Sequence, residues 1–240
     1  LRRGRTGLPM SDLCVAVVIP ALNEEHAIGK VIAALPRERI REIIVVDNGS
    51  TDGTAAAARA AGATVLHEPR RGYGSACLNG IAHALKSNPD VIAFLDGDMS
   101  DDPQELPNIL QPIEQGYDLV IGSRMLGERE EGALLPQAMI GNAVACFLIR
   151  LFWSVRFTDL GPFRAVRVEA LRRMRMSDPT YGWTVEMQVK AAKLGLRCKE
   201  VPVRYRKRIG TSKVTGTLAG TIKASVKILF TIFKYLFVKV

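Results

Sequence analysis

Apolar runs of three to five residues recur along this chain, and each is followed by a polar turn and then a stretch with helical spacing. Val15 to Ile19, Ile43 to Val46, Thr64 to His67, Val91 to Leu95 and Leu119 to Ile121 are such runs. Strands covered on both faces read as continuous apolar stretches, so these are expected to be buried strands. Between them Ile28, Val31, Ile32 and Leu35 predict a helix begun near Asn23 and ended at Pro36. An Ala-rich helix from about Thr54 to Ala61 can be capped by Ser50, Thr51 or Asp52 and is closed by Gly62. Further helices are expected after the Gly-bearing turn at 70–74, from Pro103 to about Gln115, over Gln137 to Trp153 and over Trp183 to Leu194. Residues 125–136 read as a mobile loop, 157–164 as a turn-rich stretch and Arg197 to Tyr205 as a last strand. Strand and helix alternate with short connections, which predicts an α/β fold with a mostly parallel, doubly wound sheet. Ligands of such sheets lie beyond the carboxyl ends of the strands, where Pro20, Asp47 and Asp96 fall.

Charge changes the picture at one end. The net charge is +9, and nine Lys and Arg against no Asp or Glu lie between Val201 and Val240. From Thr217 onward the spacing is helical, with Lys223, Lys227 and Lys234 within about 40° of one another at 100° per residue. Only six residues separate Lys227 from Lys234, too few to span a bilayer, so a helix lying in the headgroups is expected. The alternative is a helix packed on the core with its lysines solvated. No nucleic-acid-binding motif accompanies the basic residues, and an anionic membrane surface or lipid phosphate is the expected partner. Three units follow: a lead-in or expression remnant at 1–12, a catalytic domain at 13–215 and a basic amphipathic interfacial helix at 216–240. Cys14, Cys77, Cys146 and Cys198 form no Cys-x-x-Cys pair and are expected as reduced thiols, and His26, His67 and His83 have no zinc spacing.

The candidate chemistry lies in FLDGDMSDDP, residues 94–103. Asp102 before Pro103 is explained by helix capping. Asp96 and Asp98 are not, and a turn at Gly97 would let both face one crevice and hold a hard cation on a diphosphate. Asp47, at the end of another strand, can accept hydrogen bonds from a ribose or a base, or can cap the next helix.

PALNEE (20–25), VVDNGSTDGT (45–54), RRGYGSACLNG (70–80), FLDGDMSDDP, GSR (122–124), DLGPFRA (159–165) and RIGTSK (208–213) occur in this order. Together they resemble the family 2 glycosyltransferases over about residues 15–215, and within them the dolichyl-phosphate mannose synthase-like branch that loads a sugar onto a polyprenyl phosphate. The resemblance implies a nucleotide-diphosphate-sugar-binding GT-A fold and inverting transfer of a UDP- or GDP-linked hexose on the cytoplasmic face of a membrane. It places Pro20, Asn23, Glu24, Asp47, Asn48, Asp52, Gly72 and Gly97 on the donor side, and Asp96 and Asp98 around Mg²⁺ or Mn²⁺. Arg124, Arg164, Arg208 and Lys213 become the groups for the acceptor phosphate or the departing diphosphate. Asp98, Glu186 and Arg208 are the implied catalytic set. Two positions depart from the branch: Ser100 stands where many members carry Gln, and Gln137 where several carry Arg. A soluble glycosyltransferase with a small or hydroxyl acceptor is the competing expectation. It requires a general base, for which Glu186 is the candidate, and a dispensable tail. Apolar surfaces on the helix at 137–153 and on the tail also suit self-association.

Overall fold

The computed structural model describes residues 13–210, 218–238 and 240. Seven strands form one sheet: β1 (Val15–Ala21), β2 (Ile40–Asp47), β3 (Thr64–His67), β4 (Val91–Phe94), β5 (Leu119–Ser123), β6 (Arg164–Arg167) and β7 (Cys198–Pro202). Their spatial order is β3-β2-β1-β4-β6-β5-β7. All pairings are parallel except those of β6, which runs against β4 and β5. The helices are α1 (Ile28–Ala34), α2 (Thr54–Ala60), α3 (Tyr73–Ala84), α4 (Leu106–Glu114), α5 (Pro136–Trp153), α6 (Val168–Met174), α7 (Trp183–Lys193) and α8 (Leu218–Phe237).

Alternation along the strands divides the interior into two cores. Val18, Ile44, Ile92 and Phe94 point to the face covered by α3, α5 and α7, whereas Val17, Ile19, Val45 and Ala93 point to the face covered by α1 and α4. The double winding expected from the apolar runs is therefore present. From β1 the chain moves outward to β2 and β3, then returns to the other side of β1 as β4. The order reverses between β1 and β4, and this switch opens a crevice at their carboxyl ends.

Three boundaries differ from expectation. The first helix starts at Ile28 rather than near Asn23, because Asn23 is left-handed (φ 55°) and its Oδ1 accepts from Thr51 N at 2.8 Å, tying this turn to the loop after β2. Strand β6 starts at Arg164, the last residue of the stretch that reads as turns, and no strand is expected over 164–167, where two of the four residues are arginines. The guanidinium of Arg167 donates to the carbonyls of Tyr117 and Ile113, which satisfies a charge that sequence alone would put in solvent. The last strand stops at Pro202.

The helix expected in the tail exists as α8, but it packs along α5 and α7. Thr231, Ile232 and Tyr235 are buried, while Val226, Phe230, Phe233 and Phe237 are exposed, the last at 88%. Polar anchors turn inward: Tyr235 Oη donates to Glu186 Oε1 at 2.6 Å, and Lys227 Nζ pairs with Asp178 Oδ2 at 2.8 Å. Helix α5 repeats this arrangement, with buried Asn142 bonded to Thr158 O and Leu160 N and with Ile140, Val144, Phe147 and Leu151 exposed. Phe152 of α5 meets Phe233 of α8 edge-on, with centroids 5.8 Å apart. All four cysteines are free thiols.

Candidate active site

Two cavities adjoin beyond the carboxyl end of β4. The smaller, about 210 Å³, is bounded by Pro20, Glu24, Asn48, Gly72, Gly97 and Asp98. The larger, about 540 Å³, has Arg124 and Lys207 among its polar groups and Leu134, Leu135, Ala138, Leu160 and Ile228 among its apolar ones. Tyr73, Asp96, Tyr181 and Arg208 belong to both. A reacting pair bound in the two cavities would meet at these four side chains.

The apolar run of β4 ends inside the crevice, which fixes Asp96. Burial and the nearby charge of Asp98 raise its pKa from 3.8 to about 7, against the opposing effects of Arg208, Tyr73 and Arg124. The Tyr73 hydroxyl donates to Asp96 Oδ1 at 3.1 Å. Asp98 Oδ1 accepts from Ser100 N at 2.9 Å and from Ser100 Oγ at 2.6 Å, and its Oδ2 pairs with Arg208 Nη1 at 2.8 Å. The turn expected at Gly97 is present over Gly97 and Asp98, and Met99 behind it is left-handed (φ 65°). Space at Gly97 is tight, since a Cβ there would lie 3.2 Å from Ile28 Cδ1. Asp102 caps the next turn through Gln104 N at 3.2 Å, as expected. Asp101 is buried with no hydrogen-bond partner on either oxygen, and burial followed by the charge of Asp96 pushes its carboxyl well above the usual range.

Asp98 and Asp101 are buried, Asp96 is half-buried beside them, and Asp101 has no hydrogen-bond partner on either oxygen, so this cluster of carboxylates suits a cation. Among the described residues no group of three or more His, Cys, Asp or Glu is arranged around one point. Asp96 and Asp98 are the carboxylates that would hold a divalent ion here.

Around the smaller cavity the polar residues sort into two kinds. Pro20 and Glu24 line it directly. Asn48 also lines it, but its amide braces the loop ahead of α3, donating to Glu68 O and Arg70 O and accepting from Gly72 N at 2.8 Å. Gly72 (φ 146°) allows the start of α3 to press on residue 179, whose carbonyl would lie 2.2 Å from an added Cβ. Asp47, Asn23 and Asp52 line neither cavity. Asp47 Oδ1 accepts from Ser50 N at 2.9 Å, which closes the turn. Asp52 is held below its usual pKa because hydrogen bonds from Thr54 outweigh its slight burial.

Two expected anion-facing or catalytic groups have other roles. Arg164 is fully buried, and its Nε, Nη1 and Nη2 donate to the carbonyls of Gly161, Thr184 and Leu160. It braces the strand turn and lines neither cavity. Glu186 is also fully buried and lies outside both cavities. Its oxygens accept from Ser177 N, Asp178 N and Tyr235 Oη and pair with Lys190 Nζ at 2.8 Å. Those bonds keep it below the usual glutamate range despite burial. It clamps α7 to α8 and is not placed to act as a base. Arg124 does line the larger cavity, where Asp159 holds it through Nε (2.8 Å) and Nη2 (2.7 Å). Lys213 lies outside the described residues.

Sequence reasoning missed Arg71, Tyr73, Tyr181 and Lys207. Arg71 and Tyr73 flank Gly72 in the turn already singled out, and Lys207 precedes Arg208, so adjacency was an available signal. Tyr181 had none.

The profile of the family described as Glycosyl transferase family 2 matches residues 16–175. The chain belongs to this family. It is 38% identical over 217 residues to an uncharacterised glycosyltransferase of Mycobacterium tuberculosis, covering 90% of this chain and 96% of the relative. Similarity extends to the undecaprenyl-phosphate mannosyltransferase of Micrococcus luteus, at 32% identity over 86% of this chain and 89% of that protein. The dolichyl-phosphate hexose transferase of Haloferax volcanii is 35% identical over 83% and 86% of the two chains. In fold, this glycosyltransferase matches the GT-A enzyme glucosyl-3-phosphoglycerate synthase of M. tuberculosis, solved with Mn²⁺, UDP and phosphoglyceric acid. The TM-score is 0.76 at 23% identity, over 95% of this chain and 80% of the other.

Proposed function

We propose that this glycosyltransferase moves a hexose from a UDP- or GDP-linked donor to a polyprenyl phosphate at a membrane surface, with inversion. The observation that carries this reading is the pair of cavities sharing Tyr73, Asp96, Tyr181 and Arg208. The smaller cavity, with Pro20 and Glu24 on one wall and Asp96 and Asp98 on another, takes the nucleotide diphosphate. The larger has the mixed character a lipid phosphate needs, with Arg124, Lys207 and Arg208 for the headgroup and apolar residues of α5 and α8 for the first part of the chain. The names of the Micrococcus and Haloferax relatives agree with that acceptor.

Asp96 and Asp98 would hold Mg²⁺ or Mn²⁺, which when bound offsets charge gathering on the departing diphosphate. The remaining work falls to side chains. Arg208 and Lys207 orient the acceptor phosphate, and Arg124, fixed by Asp159, supplies a second guanidinium with a set direction. A phosphate is already anionic at neutral pH, so attack needs alignment and no general base. The commitment of Glu186 to α8 fits this requirement and counts against a hydroxyl acceptor. One displacement inverts the anomeric centre without a sugar-enzyme intermediate.

Membrane contact is proposed for the exposed apolar rows of α5 and α8, with Lys223 and Lys234 exposed beside them for anionic headgroups. The described part of α8 thereby serves both the catalytic domain and the membrane.

The donor half is tested by thermal melts with nucleotide diphosphates and Mn²⁺. UDP or GDP with Mn²⁺ should raise the melting temperature of the protein but not of Asp98→Asn. Absence of stabilisation by every nucleotide diphosphate would contradict the reading.

A further inference from the structure

Residues 204–209 cross the carboxylate loop as a strap. Arg206 N donates to Ser100 O at 2.8 Å and Ile209 N to Asp98 O at 2.9 Å, while Tyr205 forms an antiparallel bridge with Asp101. Alternate residues of the strap are arginines, and each meets a carboxylate. Arg204 pairs with Asp102 (3.2 Å) and Glu105 (2.8 Å), and Arg206 with Asp102 (2.7 Å). None of these four residues lines either cavity. They anchor the strap. The third pair, Arg208 with Asp98, stands in the crevice itself.

We infer that Arg208 is a shared counter-ion that couples cation binding to phosphate binding: it neutralises Asp98 until a divalent ion takes that carboxylate, and is thereby released to the acceptor phosphate. The inference rests on the donor and acceptor assignment proposed above.

Three observations support it. Ser100 pins Asp98 through Oδ1, so the carboxylate is not free to rotate away and Oδ2 is the oxygen available for exchange. That oxygen is the one Arg208 occupies. A guanidinium and a metal ion on the same oxygen repel each other, so entry of the ion moves the arginine. Finally, Arg208 lines both cavities, and a short swing about its long side chain carries the guanidinium from Asp98 toward Lys207 and Arg124. Arg204 and Arg206 keep the strap in place during that swing. The coupling is reciprocal, since a phosphate that holds Arg208 leaves Asp98 open to the cation.

The test uses the full chain, first without nucleotide and then with UDP or GDP. Mn²⁺ affinity is read from the electron paramagnetic resonance signal of the free ion, and binding of farnesyl monophosphate is measured with and without Mn²⁺. Arg208→Gln is expected to bind Mn²⁺ about fivefold or more tightly than the unaltered protein. Mn²⁺ should tighten farnesyl phosphate binding in the unaltered protein and leave it unchanged in Arg208→Gln. Arg208→Lys, which restores a cation, should return Mn²⁺ affinity toward the original value. Equal Mn²⁺ affinity in the unaltered protein and Arg208→Gln overturns the coupling while leaving the cation site intact. A lysine variant that binds Mn²⁺ like the glutamine variant also overturns it. Failure of Mn²⁺ to bind any of the three, with or without UDP or GDP, removes the cation site of the proposed function and the coupling with it.

Discussion

The hydroxyl of Tyr73 donates to Oδ1 of Asp96 at 3.1 Å, at the wall common to both cavities. The bond fixes the carboxylate where the two cavities meet and favours its ionised form. Tyr73→Phe keeps the edge contact with Trp183, whose centroid is 6.0 Å away, and removes the bond to Asp96. Transfer should fall by on the order of tenfold, and Mn²⁺ affinity with it, while the melting temperature changes little. Turnover and Mn²⁺ titration on the same preparation check this.

The raised pKa of Asp96 has a sign that can be measured. Its folded value of about 7 lies above its ordinary 3.8, so the folded state holds this proton more tightly than the unfolded state. Stability from the protonated group is complete below about pH 4 and is lost as pH rises through about 7. A divalent ion needs the ionised carboxylate. The increase in melting temperature produced by Mn²⁺ should therefore be small at pH 5.5 and grow toward pH 7.5. A shift that is equal across this range would separate the ion from Asp96.

Glu186 is predicted to hold the fold and to be dispensable for chemistry. Replacing one partner of its buried pair with Lys190 leaves uncompensated charge, at a cost of about 3–5 kcal/mol. Glu186→Ala should melt well below the unaltered protein and retain much of its turnover at low temperature. Unchanged stability with abolished turnover would return Glu186 to the role of a base.

The outward row of α8 is separable from its inward anchors. Val226→Ser together with Phe230→Ser and Phe237→Ser should reduce sedimentation with phosphatidylglycerol vesicles, because three exposed apolar side chains of the proposed membrane-facing row are removed. The melting temperature should remain close to the original. Deleting the helix is a poorer experiment, since Tyr235 and Lys227 clamp it to Glu186 and Asp178.

The strands that position the site were legible in the sequence, because runs such as Val91 to Leu95 are apolar on both faces. Asp96 and Asp98 stood out for the same reason, as carboxylates at the end of a buried run. Asp102 was correctly separated from them by its Pro103 neighbour. What the sequence could not show was which charged residue finds a partner in the interior. Arg164 and Arg208 occur in equally suggestive motifs, yet one is fully engaged by backbone carbonyls and the other opens into both cavities. The burial of Glu186 was hidden for the same reason, since Lys190 is its i,i+4 neighbour on α7 but Ser177 and Tyr235 reach it only through tertiary packing. The lysine stripe of α8 suggested a basic exposed face, but the exposed face is mainly aromatic and Lys227 turns toward Asp178. Period locates a face; it does not say what covers it.

The central claim is that two cavities join a sugar nucleotide to a lipid phosphate. Its most direct test is to incubate the full chain with Mg²⁺, sugar-labelled UDP- and GDP-hexoses and a short polyprenyl phosphate, then follow the label into the organic phase. The predicted result is an acid-labile, organic-extractable product of inverted anomeric configuration, absent with Asp98→Asn. Label that passes only to water-soluble acceptors, with none in the organic phase, would contradict the account.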